Sequence, residues 1–288
     1  MVEQIKTALI LGGGGSKGAV QAGFLRAVEK LNIDTQLVVA ASVGAINGAF
    51  FAAGVPTRYM VTEWARMKRR DIFGFNWELL TKRSRASSVF GFRRLRRFLT
   101  DLLPVHTFEE LAIPLVIVTT DLATGEPYLW ERGDLIEAIL ASSAVPGLLP
   151  PVEGPHGRLL IDGALSDNVP VETAFERGMD RVLGILCRTC AACQPRDISL
   201  SSMLGQAFGI AVDCKWRSDA RRYAECDDVL IVEPDIGFDV ASLDFTHGSE
   251  LWKAGYRLSR RAIQRWLEQW ERGAIGAAKP DAIGEPVS

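Results

Sequence analysis

Three stretches of this chain carry residue types whose spacing suits acyl-transfer chemistry. Ser42 lies in Leu37–Val55, nineteen residues with no charge, within Ala40-Ala-Ser-Val-Gly44, a G-x-S-x-G pattern whose first glycine is alanine. In that pattern the serine sits on a sharp turn from strand to helix, with its hydroxyl thrust out beside the helix N-terminus. A hydroxyl is a weak nucleophile until a base takes its proton, and the oxyanion formed on attack needs N–H donors. Gly12–Gly18 can supply the donors, because the amides of a glycine loop and the N-terminus of the following helix point at one spot. Asp162-Gly-Ala164 can supply the base. The aspartate ends an apolar strand, where sites in open α/β sheets gather, and small neighbours leave room for another group. A carboxylate within hydrogen-bond reach of Ser42 takes its proton directly, whereas the plainer role for Asp162 is to cap a turn.

Other assignments fit less well. A histidine base would follow the α/β-hydrolase order of Ser, Asp, His. His106, His156 and His247 are available, yet only 41 residues precede Ser42, and that fold lays down several strands before its nucleophile. Residues 13–18 also fit G-x-G-x-x-G, but the second strand ends Val39-Ala-Ala-Ser42, without the acidic residue that holds a ribose. The absence of G-K-[ST] excludes a P-loop. Leu37–Val55 approaches the length of a membrane span and contains a G-x-x-x-G pair, Gly44 and Gly48,. Its Ala/Gly content, missing aromatic belt and β-branched start favour a buried strand followed by a buried helix.

The elements needed to position these residues can be read in order. Thr7–Leu11 is a strand, and a helix follows the glycine loop from Ala19 to Lys30. Leu37–Ala41 is a central strand, Gly44–Ala53 a helix and Pro56–Arg70 another. Gly91–Leu103 is amphipathic, with Phe92, Leu95, Phe98, Leu99 and Leu102 at helical spacing and arginines between them. Pro114–Thr120 is a second central strand with Glu126–Glu131 as its hairpin partner, and Asp134 caps a helix to Ser142,. Arg158–Ile161 is a short strand leading into Asp162. Helices over Val171–Gly178, Leu200–Ala224 and Ser249–Glu271 alternate with strands over Arg181–Cys187 and Asp228–Val232. Strands alternating with helices, without linker or repeat, predict one three-layer α/β/α domain with a largely parallel central sheet over 1–272. Residues 273–288, rich in Ala, Gly and Pro, read as a loose tail,.

Composition narrows the class. With 48% hydrophobic and 24% charged residues among 288, the chain has ample core. A net charge of −2 gives no reason to expect nucleic acid. Charge is uneven, however: Arg66–Arg97 holds eleven Lys/Arg and two Asp/Glu, leaving the remainder at −11, an asymmetry that suggests a surface for anions. The amphipathic Gly91–Leu103 segment reads as a surface helix docked by its apolar face, or as a contact with an anionic membrane. No basic leader with an apolar core is visible at the N-terminus, and five cysteines, an odd count, point to a reducing, cytoplasmic setting,.

Taken together, Gly13-Gly-Gly-Ser-Lys-Gly18, Ala40-Ala-Ser-Val-Gly44 and Asp162-Gly-Ala164 resemble, in order and spacing, the patatin-like phospholipase family. Gln21-Ala-Gly23, Ala141-Ser-Ser-Ala-Val-Pro146 and Asn168-Val-Pro170 are similar to it too, with weaker echoes at Leu243-Asp-Phe245 and Gly255-Tyr256. The resemblance implies a lipid acyl hydrolase without metal or cofactor. Ser42 would be the nucleophile and Asp162 the base. The amides around Gly13, Gly14 and Gly15 would hold the oxyanion, and Lys17, Gly18, Gly44 and Gly163 would support the motifs. The implied substrate is a phospholipid or another acyl ester, met at a membrane surface. Ala40 replaces a motif glycine, Lys17 stands where the family usually has arginine, and Ala164 replaces a common second glycine.

Three further expectations concern residues outside these motifs. Cys187, Cys190 and Cys193 have the spacing of metal ligands, though buried or loop thiols are the plainer account. Ile72–Phe75 with Val89 and Phe90 are placed to cap an acyl-chain pocket. The rival to a hydrolase is a non-catalytic phosphate- or nucleotide-binding protein that uses Gly12–Gly18 as a cradle.

Overall fold

The computed structural model describes residues 5–76, 87–187, 200–223, 225–237 and 240–271. The chain begins with β1 (Thr7–Leu11), α1 (Gly18–Lys30), β2 (Leu37–Ala41), α2 (Val43–Ala52), α3 (Thr57–Arg66) and a short α4 (Arg69–Ile72). Next come β3 (Gly74–Phe75), β4 (Phe90–Gly91), α5 (Arg93–Leu102), β5 (Leu115–Asp121), β6 (Pro127–Trp130) and α6 (Leu135–Ser142). The rest comprises β7 (Val152–Glu153), β8 (Leu159–Asp162), α7 (Val171–Glu176), β9 (Arg181–Ile185), α8 (Leu200–Arg222), β10 (Val229–Val232) and α9 (Gly248–Glu271).

The main sheet runs β10-β9-β1-β2-β5-β8-β7, with β6 also on β5. Neighbours from β10 through β5 are parallel. Every residue of β1, β2 and β5 is buried, as expected for strands covered on both faces. Alternate side chains serve two cores. Leu9, Leu11, Val38, Ala40 and Ile117 pack under α1, α2, α3, α5, α6 and α9. Ala8, Ile10, Val39, Ala41 and Val118 pack under α7 and α8. The result is the expected three-layer arrangement.

Two local expectations change. The helix read over Pro56–Arg70 ends at Arg66, because Met67 turns extended and buries its side chain. The chain restarts as α4, with the Asp71 carboxylate accepting the Lys68 N–H at 2.9 Å. The strand before Asp162 is not one of the parallel set: β8 runs antiparallel to β5, with Thr119 opposite Asp162 and Asp121 opposite Leu160.

The edges of β5 explain how β8 still reaches the site. One edge pairs with β6 over Ile117–Thr120. The other must therefore hold both β2, which pairs with Leu115–Val118, and β8, which pairs with Thr119–Asp121. These two strands meet end to end on one edge, so Asp162 arrives one step beyond Ala41, where Ser42 stands. Asp162 reaches the carboxyl end of the parallel strands from the opposite direction.

Candidate active site

Ser42 joins β2 to α2 with φ 56° and ψ −127°, a backbone region that costs a residue with a side chain about 1–3 kcal/mol and persists only where surroundings enforce it. Several contacts enforce it. The Ser42 N–H donates to Ser142 Oγ at 2.8 Å, and Ser142 Oγ donates to the Val118 carbonyl at 2.6 Å, tying the turn to α6 and β5. Gly44 passes so near β1 that a Cβ there would lie 2.0 Å from the Leu11 carbonyl oxygen. Ala40 is fully buried, and its methyl lies against Gly48 of α2. The extra carbon at the first motif position is thus met by a missing one on the facing helix.

A serine at a helix N-cap ordinarily spends its hydroxyl on an N–H of the first turn. Ser42 does not: its Oγ donates to Asp162 Oδ2 at 2.7 Å. Asp162 is wholly inaccessible to solvent, and its second oxygen accepts the Ala164 N–H at 2.9 Å. Its backbone is held as well, since the Asp162 N–H donates to the Ala144 carbonyl and Thr120 Oγ1 donates to the Asp162 carbonyl. Gly163 lets the chain turn here, where a Cβ would come within 2.0 Å of the Val118 carbonyl oxygen. Burial pushes the Asp162 carboxyl up to about 7, against the lowering effect of the bonds from Ser42 and Ala164. The turn-capping role and the contact with Ser42 are therefore both present in one side chain.

The glycine loop lies next to this pair. A Cβ on Gly13 would lie 3.2 Å from that of Ser42. The three predicted donors differ in state. The Gly13 N–H donates to Asn168 Oδ1. Among the described residues, the N–H groups of Gly14 and Gly15 donate to no protein acceptor. Ser16 anchors the loop, its N–H donating to the Ser242 carbonyl at 2.8 Å and its hydroxyl to the Ala241 carbonyl at 3.0 Å. Lys17 is buried and its carbonyl accepts from the Cys187 thiol, while Gly18 opens α1 against Val43 and Trp64.

Residues outside the three motifs fall as follows. His106 and His156 are exposed and His247 lies beside Asp244; none of them bonds to Ser42. Cys187 is buried, which pushes its thiol up to about 12; Cys190 and Cys193 lie outside the described residues. β3 and β4 pair antiparallel, bringing Phe73 and Phe90 within 5.2 Å, and Phe73 meets Phe245, which stacks on Trp64. An apolar crevice lined by Ile46, Phe50, Met60, Trp64, Phe98 and Leu102 lies between α2, α3 and α5. Leu95 and Leu99 of α5 are buried, while Arg93, Arg94, Arg96 and Arg97 are exposed, so the helix is docked by its apolar face.

Sequence reasoning gave no role to Ser142, Asn168 or the carbonyls of Ala241 and Ser242. Ser142 and Asn168 stand inside stretches that carry the family resemblance, Ala141–Pro146 and Asn168–Pro170, which is a usable signal. A backbone carbonyl has none.

A family model described as patatin-like phospholipase matches residues 9–175. An NTE family protein of Mycobacterium bovis is 30% identical over 193 residues, covering 67% of this chain and 52% of that one. Neuropathy target esterase sws of Drosophila melanogaster is 29% identical over 180 residues, 62% of this chain and 12% of that protein. The chain thus spans about half the length of the first relative and a small part of the second. Among solved structures, VipD from Legionella pneumophila shares the fold, with a TM-score of 0.51 at 14% identity over 90% of this chain and 67% of that one.

Proposed function

The chain belongs to the patatin-like phospholipase family, and from that premise we propose that it hydrolyses carboxylic esters of lipids through a Ser42–Asp162 dyad. The observation that carries the reading is the 2.7 Å bond from Ser42 Oγ to a fully buried carboxylate. In the first half-reaction, Ser42 Oγ attacks the ester carbonyl as its proton passes to Asp162. The C=O electron pair moves onto oxygen, and the N–H groups of Gly14 and Gly15, near the N-terminus of α1, stabilise the charge. Collapse of this intermediate expels the alcohol, which takes the proton from Asp162 and leaves an acyl-serine. In the second half, Asp162 takes a proton from water, the hydroxide oxygen attacks the acyl carbonyl, and Ser42 leaves with the proton returned. A base whose carboxyl titrates at about 7 suits proton transfer at neutral pH.

The substrate side of the proposal is a phospholipid or similar acyl ester, the class that the family's description names. The exposed arginines of α4 and α5 would face an anionic membrane by charge alone, since the apolar face of α5 is spent on the core. Among the described residues no helix is long and apolar enough to cross a membrane. A phosphate cradle is the less supported reading, because the Gly13, Ser16 and Lys17 amides already donate within the protein.

Hydrolysis of p-nitrophenyl acyl esters, then of a phospholipid, tests the proposal on wild type, Ser42→Ala and Asp162→Asn. Loss of activity in both folded variants is expected. An inactive wild type that binds phosphate or nucleotide would replace the hydrolase with the binding protein.

A further inference from the structure

One peptide unit of the glycine loop is gripped at both polar ends. Gln21 Nε2 donates to the Gly12 carbonyl at 2.5 Å, and the Gly13 N–H donates to Asn168 Oδ1 at 2.5 Å. Gly12 C=O and Gly13 N–H belong to the same plane, so rotating that plane breaks both bonds. Gln21 and Asn168 are almost wholly buried, where an amide left without a partner has no water to replace it and bears its full desolvation cost.

The direction of the grip is set by chemistry. Trp64 Nε1, which can only donate, bonds Asn47 Oδ1 at 2.8 Å,. Asn47 must then present its Nδ2, which donates to Gln21 Oε1 at 2.9 Å and to the Gly18 carbonyl at 2.9 Å. Gln21 is left with its NH2 toward Gly12, where the partner is an acceptor. Each amide in the chain from Trp64 to Gly12 has one permitted orientation.

We infer that Gln21 and Asn168 are positioning residues for the oxyanion donors. By locking the Gly12–Gly13 peptide they withdraw the Gly13 N–H from the reacting carbonyl and aim those of Gly14 and Gly15. The inference rests on the hydrolase reading above. Its physical motive is that a run of four glycines is otherwise free to turn its amides away, whereas oxyanion stabilisation depends on donors already aimed before charge develops.

The test measures kcat and KM on a p-nitrophenyl ester for wild type, Gln21→Met, Gln21→Glu and Trp64→Phe, with folding checked by circular dichroism. Gln21→Met keeps the volume and loses the donor; kcat is expected to fall about 10- to 100-fold, with KM within about twofold. Gln21→Glu still accepts from Asn47, but donates to Gly12 only while protonated. Its kcat relative to wild type is therefore expected to rise about tenfold between roughly pH 8.5 and pH 6, a response that loss of packing would not produce. If Gln21→Met does not fold, Trp64→Phe removes only the first donor of the chain and is expected to lower kcat a few-fold. Wild-type kcat in Gln21→Met, or a Gln21→Glu deficit equal at every pH, overturns the inference and leaves the hydrolase intact. A wild type that neither turns over esters nor is labelled at Ser42 by a fluorophosphonate overturns the hydrolase reading, and this inference with it.

Discussion

Polar groups around the glycine loop and those along the α4–α5 face are handled in opposite ways. Around the loop, Gln21, Asn47, Ser142, Asp162 and Asn168 are buried, and each bonds a named atom on another element. On the other face, Arg96 pairs with Glu137, Arg97 with Asp101 at 3.3 Å, and Arg94 bonds backbone carbonyls, all at exposed positions. A buried polar group stripped of its partner costs its full desolvation, whereas an exposed ion pair is worth little. The loop region is therefore where single substitutions should be felt, and the arginine face is where charge acts collectively.

The largest expected contrast concerns Asp162. Its carboxyl titrates at about 7 in the fold, against about 3.9 in an unfolded chain. Between these values the unfolded state has released its proton and the fold retains it, so stability falls as pH rises, by about 4 kcal/mol in all, and levels off above 7. Asp162→Asn, whose amide can still bond Ser42 and Ala164, is expected to unfold at higher denaturant than wild type at pH 8. The difference should vanish near pH 4. Equal midpoints at pH 8 would show that the carboxylate is not held against its own burial.

Gly44→Ala is next. The added carbon would meet the Leu11 carbonyl at 2.0 Å, so β1 and α2 must separate, at a cost of about 3 kcal/mol measured by urea unfolding. Ser142→Ala leaves both the Ser42 N–H and the Val118 carbonyl unpaired, for about 2 kcal/mol, and lowers kcat by loosening the turn. A variant as stable and active as wild type would show that Ser142 does not hold the Ser42 turn.

At the weak end, Arg96→Ala should change stability by less than about 1 kcal/mol. Arg93→Gln should weaken vesicle binding about fivefold on anionic lipid at low salt, and leave neutral vesicles unaffected. Vesicle sedimentation that ignores both lipid charge and salt would remove the membrane role from this face.

Much of the site was legible because it is local. An uncharged β-branched run before a serine and small residues specifies strand, turn and helix within a few positions, and Asp134 was recognisable as a cap from its place before an apolar helix. The direction of β8 was not legible. Four residues, Leu159–Asp162, fit either orientation, and the choice depends on which stretch of β5 is left unpaired once β2 and β6 are in place. Gly13 could not be separated from Gly14 and Gly15 by sequence, because the difference is made by Asn168, 155 positions away. The anchoring of Ser16 by Ala241 and Ser242 uses backbone oxygens, which every residue has. It also lies beyond the stretch the family model matches.

The most direct test of the dyad is the pH dependence of Ser42 labelling by an alkyl fluorophosphonate, followed by mass spectrometry in wild type and Asp162→Asn. The account predicts a wild-type rate that rises with pH and reaches half its plateau near about pH 7, where the Asp162 carboxyl ionises. It predicts an Asp162→Asn rate at least about a thousandfold lower and flat with pH. Labelling of Asp162→Asn at the wild-type rate, or of a residue other than Ser42, would contradict it.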